Sequence, residues 1–146
     1  MSLLSQTLTY TTPGTYSFTF ENPNGASMSY FIVGGGGNGA SANSTGGGGG
    51  GSGGQYKTGS QTLSSLTNIT IQVGGSSQDS FITINGATTI TALAGNDAVG
   101  QTGGASVGSG SSLGGNGGTN GSSARTSGIG TFFPITFDDG FTNNII

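Results

Sequence analysis

The sequence predicts an all-β fold, a jelly-roll-like β-sandwich of roughly six to eight short strands. Ordered, polyproline-II-like glycine-rich segments are expected to connect those strands. Three observations carry the prediction. Apolar residues alternate with polar ones in several short runs, the period-two signature of half-buried strands. An Asn85-Gly86 dipeptide sits between two such runs, the strongest short hairpin signal. No window shows helical periodicity built from helix formers.

The elements follow in chain order. Residues 15–20 (Thr-Tyr-Ser-Phe-Thr-Phe) alternate strictly, so Tyr16, Phe18 and Phe20 share one strand face. Asn22-Pro23-Asn24-Gly25 is turn chemistry. Residues 28–33 read as a second strand, apolar on both faces and therefore expected inside the sandwich. Residues 68–73 alternate again, with Ile69, Ile71 and Val73 pointing inward. Residues 80–84 and 87–93 flank the Asn85-Gly86 turn. Residues 132–137 form a last strand, with Pro134 marking an edge position. The expected core is Tyr16, Phe18, Phe20, Tyr30, Ile32, Ile69, Ile71, Val73, Ile84, Ile90 and Leu93.

Composition bounds the chemistry. Of 146 residues, 33 are glycine, and none is His, Cys or Trp. Disulfides, thiolate zinc, haem and His-dependent acid–base catalysis are thereby excluded. Lys57 and Arg125 stand against Glu21, Asp79, Asp97, Asp138 and Asp139, a net charge of −3. Two cations release too few counterions to support nucleic-acid binding. No basic n-region precedes an apolar stretch near Met1, so no secretory signal is expected. The longest aliphatic–aromatic run, Tyr30-Phe31-Ile32-Val33, is too short to insert in a membrane.

Catalytic motifs are absent by the same reading. Lys57 is the only lysine and has no Gly-Lys-Ser/Thr context, so there is no P-loop. The serines have no histidine to activate them. Asp138 and Asp139 precede Gly140 and read as a turn; Gly95-Asn96-Asp97 likewise reads as a turn, with calcium as the lesser alternative. We expect no enzyme activity, no catalytic or metal residue and no cofactor.

Two segments are dense in glycine. Residues 34–54 hold 13, including Gly46, Gly47, Gly48, Gly49, Gly50 and Gly51 without interruption, and residues 95–130 hold another 13. As flexible linkers they would be unusual, because long structureless loops are rare within one small fold. Ordering them costs about 1–2 kcal/mol of backbone entropy per residue. Glycine has no side chain to bury, so the compensation must come from backbones packed closely enough to satisfy each other's N–H and C=O groups. Gly115, Gly118 and Gly121 recur every third residue, which fits a threefold extended helix. Only three prolines are present, so collagen is rejected. A packed glycine layer and irregular loops fixed by neighbouring subunits both remain open.

A family resemblance rests on particular residues. Tyr10-Thr11-Thr12-Pro13-Gly14-Thr15-Tyr16-Ser17-Phe18-Thr19-Phe20, then Tyr30-Phe31-Ile32-Val33-Gly34-Gly35-Gly36-Gly37, resembles the opening of glycine-rich domains of phage tail fibres, adhesins and other viral structural proteins. The run before Gln55-Tyr56-Lys57-Thr58-Gly59, and Ile69-Thr70-Ile71-Gln72-Val73-Gly74-Gly75, continue that order. The likeness covers about residues 7–130. It implies a β-sandwich with glycine-rich connections, used in fibres, spikes and surface layers. Tail-fibre-tip adhesins of this kind stack polyglycine helices and bind receptors through intervening loops.

The expected organisation is therefore one glycine-rich β domain over residues 1–146, with a C-terminal strand and tail at 131–146. The expected role is a virion structural or surface protein, made in the host cytoplasm and extracellular after release. Its partners would be copies of itself, other virion proteins and a host-surface receptor, without nucleic acid or membrane insertion. Leu3, Leu4, Phe141, Ile145 and Ile146 are apolar where monomers usually end in polar residues, and are the candidate subunit contacts. The alternatives are an extracellular fibre or matrix protein, or an ice- or glycan-binding module using Thr83, Thr88, Thr89 and Thr91.

Overall fold

The computed structural model describes residues 7–42 and 46–108. Among them are six strands and no helix: β1 (Gly14–Glu21), β2 (Ala26–Val33), β3 (Tyr56–Leu63), β4 (Leu66–Val73), β5 (Ser80–Ile84) and β6 (Thr88–Ala92). They form two antiparallel sheets, one of four strands in the order β1-β4-β5-β6 and one containing β2 and β3. The fold is all-β, as the alternation predicts.

Turn chemistry places the crossings. Gly25 takes φ +67° and donates its N–H to the Asn22 carbonyl at 2.8 Å, carrying the chain from β1 into the second sheet. Asn85 and Gly86 have φ of +51° and +69°, the pair of positive values that a type I′ turn requires. The Ala87 N–H closes that turn on the Ile84 carbonyl at 3.1 Å, and pairing resumes at Ile84 opposite Thr88.

One apolar cluster joins the sheets. Ile32 and Leu63 come from the two-stranded sheet, and Ile69, Ile82, Ile84 and Ala92 from the four-stranded one. Phe18, Phe20, Met28, Tyr30, Ile71 and Ile90 pack against it. Tyr30 lies opposite Gly59 in the β2–β3 register, and its hydroxyl occupies the space that a Gly59 side chain would need.

Several expectations change. Leu93 is 42% exposed rather than core, because Ile90 and the buried Ala92 already set the inward parity of β6. Tyr16 is half-buried on edge strand β1, its ring 4.6 Å from that of Tyr10. Strand β2 is not buried on both faces: Val33 is 49% exposed, and Phe31 pairs with Tyr56 at 6.0 Å between ring centroids. Leu63, Ile82 and Ala92 are core residues that the period-two reading passed over. The expected strand at 132–137 lies outside the described residues.

Candidate functional site: the glycine layer

The segments between the strands meet in a separate layer built from backbone. Segment 34–40 leaves β2, segment 49–55 leads into β3, and segment 93–100 leaves β6. Gly34, Gly37 and Ala40 donate their N–H groups to the carbonyls of Gln55, Ser52 and Gly49 at 2.8, 2.8 and 2.9 Å. Gly49, Ser52 and Gln55 in turn donate to Gly100, Asn96 and Leu93 at 2.8, 2.9 and 2.8 Å. Gly95 and Ala98 close the circuit by donating to Gly35 and Asn38, both at 2.8 Å. Each segment thus donates to one neighbour and accepts from the other, at every third or fourth residue. Three residues per turn is the repeat of a threefold extended helix, whereas a β-ladder repeats every two.

Close approach dictates glycine here. A Cβ on Gly34 or Gly37 would meet the Leu93 or Asn96 carbonyl; on Gly51 or Gly54, the Gly37 or Gly34 carbonyl; on Gly95, the Ser52 carbonyl. All these approaches are closer than the 3.0 Å that real Cβ atoms respect, and all are to backbone that cannot swing aside. Only a hydrogen fits. The Gly95-Asn96-Asp97 stretch, expected as a turn, instead runs through the layer: the Gly95 N–H donates to the Gly35 carbonyl, the Asn96 N–H to Ser52 Oγ, and the Asn96 carbonyl accepts the Ser52 N–H.

The expected site residues fall as follows. Gly48 faces the Ala40 carbonyl, Gly49 stands with its Cβ position 2.5 Å from the Thr102 carbonyl oxygen, and Gly51 faces Gly37. Gly46 is half-buried; Gly47 and Gly50 are exposed, although the Gly50 carbonyl accepts the Gly104 N–H at 2.9 Å. Gly115, Gly118 and Gly121 lie outside the described residues, as do Leu3, Leu4, Phe141, Ile145 and Ile146.

Sequence reasoning missed Ser52. It is 2% exposed and stands where all three segments meet, and its Oγ accepts the Asn96 N–H at 2.7 Å. Its one visible signal is that it interrupts the glycine run. Polar side chains also rim the layer. The Asp97 carboxylate accepts the Asn38 N–H at 2.6 Å and the Ser77 hydroxyl, while Asn38 Nδ2 donates to Ser77 Oγ at 2.8 Å. Those hydrogen bonds, the Ser77 hydroxyl first and the Asn38 N–H second, hold the Asp97 carboxyl below the usual aspartate range. Asp79 accepts the Ala94 N–H at 2.7 Å. Both carboxylates border a shallow depression with Leu93 and Asn96. Among the described residues no three His, Cys, Asp or Glu side chains come together to hold a metal, and no helix is long and apolar enough to cross a membrane.

Two antiparallel sheets continued by a layer of hydrogen-bonded glycine segments define an all-β glycine-rich domain. Residues 11–141 match the family model described as a glycine-rich domain, and the chain belongs to that family. No curated protein and no solved structure matches it.

Proposed function

We propose that the protein is a non-enzymatic structural or surface component of a virion, a fibre, spike or capsid-associated subunit that works by self-assembly and by attachment to the host surface. The observation that supports this reading best is the closed circuit of hydrogen bonds among segments 34–40, 49–55 and 93–100. It spends glycine, the residue with most conformational entropy to lose, on rigidity. A layer whose interior is backbone and one serine offers mechanical stiffness and no reactive groups. We read its segments as polyproline-II-like, and the glycines that line it as the assembly residues. Low charge adds a second support, because little repulsion opposes close association of copies. Leu3, Leu4, Phe141, Ile145 and Ile146 are the proposed contacts between copies, and no cofactor is invoked.

Antibodies against the chain, used for gold labelling of particles purified from host lysates, test the location. Labelled fibres, spikes or shells are expected, and particles without label overturn the virion reading. Light scattering tests assembly separately. The intact chain should give a defined oligomer, and removing residues 142–146 should leave a soluble, folded monomer. An intact chain that stays monomeric at high concentration removes self-assembly.

A further inference from the structure

The face of the four-stranded sheet turned away from the core carries an ordered array of hydroxyl and amide groups around one aromatic ring. The pairing registers set two rows across the strands: Thr15, Gln72, Phe81 and Thr91 in one, Ser17, Thr70, Thr83 and Thr89 in the next. Thr19 and Asn68 extend the array on the β1–β4 side. Hydrogen bonds between the side chains hold it in place: Thr15 Oγ1 donates to Gln72 Oε1 at 2.5 Å and Thr19 Oγ1 to Asn68 Oδ1 at 2.9 Å. The hydroxyl pairs Ser17–Thr70 and Thr83–Thr89 are each 3.2 Å apart. No charged residue lies within the two rows; the charges that border them are Asp79, two residues before Phe81, and Glu21, at the far end of β1 opposite Leu66.

We propose that this face binds a neutral glycan, with Phe81 as the stacking platform and Gln72, Thr70 and Thr83 as its polar contacts. The chemistry of the face selects that occupant. A face without charge inside the array offers no Coulomb attraction to an anionic polymer or an acidic peptide. A protein partner would want a buried cluster of aromatic and aliphatic anchors, whereas the array has one aromatic residue. Ice would be served by an uninterrupted hydroxyl surface, and Phe81 breaks the first row. A sugar ring matches both parts. Its C–H face covers the phenyl ring, which loses water on contact. Its hydroxyls exchange hydrogen bonds with side chains that each keep further donor or acceptor capacity after pairing with one another. Three strand spacings give the rows a width of about 14 Å, enough for a short oligosaccharide laid across the strands. The cross-strand bonds also fix the rotamers in advance, reducing the ordering cost of binding. This inference is independent of the virion reading, because a monomer from any source would show it.

Native affinity electrophoresis of the full chain tests it, in gels containing dextran, mannan or laminarin, with anionic alginate as the control. Retardation by at least one of the neutral polysaccharides is expected. Phe81→Ala should weaken it at least five-fold at unchanged melting temperature, and Thr70→Val should weaken it as well. If Phe81→Ala does not fold, Thr70→Val and Gln72→Ala carry the comparison. Migration unchanged in all three neutral gels overturns the proposal, and so does retardation in alginate alone. Retardation that the variants leave intact overturns it too, since the glycan then binds elsewhere. Thermal hysteresis without glycan binding would assign the face to ice. Loss of melting temperature in Phe81→Ala, with no binding by the parent, would show the face covered by another part of this chain.

Discussion

Ser52 and Asn96 are joined in both directions: the Ser52 N–H donates to the Asn96 carbonyl at 2.9 Å, and the Asn96 N–H donates to Ser52 Oγ at 2.7 Å. The pair locks segment 49–55 to segment 93–100 at a point where Ser52 also accepts the Gly37 N–H through its carbonyl. Ser52→Ala keeps the backbone bonds and removes the Oγ. The Asn96 N–H then loses its acceptor in a part-buried setting, at a cost of about 1 kcal/mol. Thermal or denaturant unfolding of the variant measures it, and a change under a few tenths of a kcal/mol would show that water replaces the hydroxyl.

Gly36 and Gly37 are neighbours with opposite surroundings. A Cβ on Gly36 has the Ser52 carbonyl oxygen at 3.8 Å, an ordinary contact, whereas one on Gly37 collides with the Asn96 backbone. Gly36→Ala should be neutral or stabilise by about 0.5 kcal/mol through the unfolded chain. Gly37→Ala should destabilise by about 2–3 kcal/mol through overpacking. Equal effects at the two positions, read by urea titration, would mean that segment 34–40 is a free linker.

The two turn glycines separate strain from space. Gly86 has φ +69° and nothing within 4 Å of its Cβ position, while Gly25 has φ +67° and the Leu63 carbonyl oxygen at 2.5 Å. Gly86→Ala should cost about 1–2 kcal/mol, the penalty of a left-handed conformation alone. Gly25→Ala should cost more, because steric overlap adds to the same penalty. Differential scanning calorimetry of both variants ranks them.

Among the described residues Ile69 is the largest fully buried side chain, at 2% exposed, and it belongs to the cluster that both sheets share. Ile69→Ala should destabilise by about 2–5 kcal/mol, from lost transfer energy and the cavity left behind. Chemical denaturation at constant m-value gives the figure directly.

Acid should loosen the rim of the glycine layer. The Asp97 carboxyl is held below its ordinary range when folded, so the unfolded chain binds its proton more readily. Its contribution to stability is complete above the ordinary aspartate range and is lost as pH falls through the lower folded value. Melting temperature followed into acid should drop more steeply for the parent than for Asp97→Asn, with the two curves converging at the lowest pH. Parallel curves would show that the Ser77 and Asn38 bonds carry no linkage.

Strands β1, β4 and β5 and the Asn85-Gly86 turn are legible in the chain because their causes are local. Alternation places Phe18, Phe20, Ile69 and Ile71 on one face, and positive φ at Asn85 and Gly86 is a preference of those two residues. Leu93 is apolar but out of phase with the inward positions of β6, and the buried Ala92 beside it turns its side chain outward. Strand β3 is a harder case: a Thr/Ser/Gly-rich strand carries little apolar pattern, and Leu63 shows its role only once the second sheet covers it.

Local residue patterns make the chain all-β, leave it almost uncharged and require its glycines to find a packing partner. Which backbones meet depends on the assembled sheets. Segments 34–40, 49–55 and 93–100 pair mainly through backbone groups, and the side chains that join them, Ser52 to Asn96 and Asp97 to Asn38, act only once the backbones are adjacent. Their register is imposed by the ends of β2, β3 and β6, which the apolar core brings side by side. Glycine permits the close approach, and the sandwich chooses the neighbours, because a residue without a side chain leaves specificity to the scaffold that positions it.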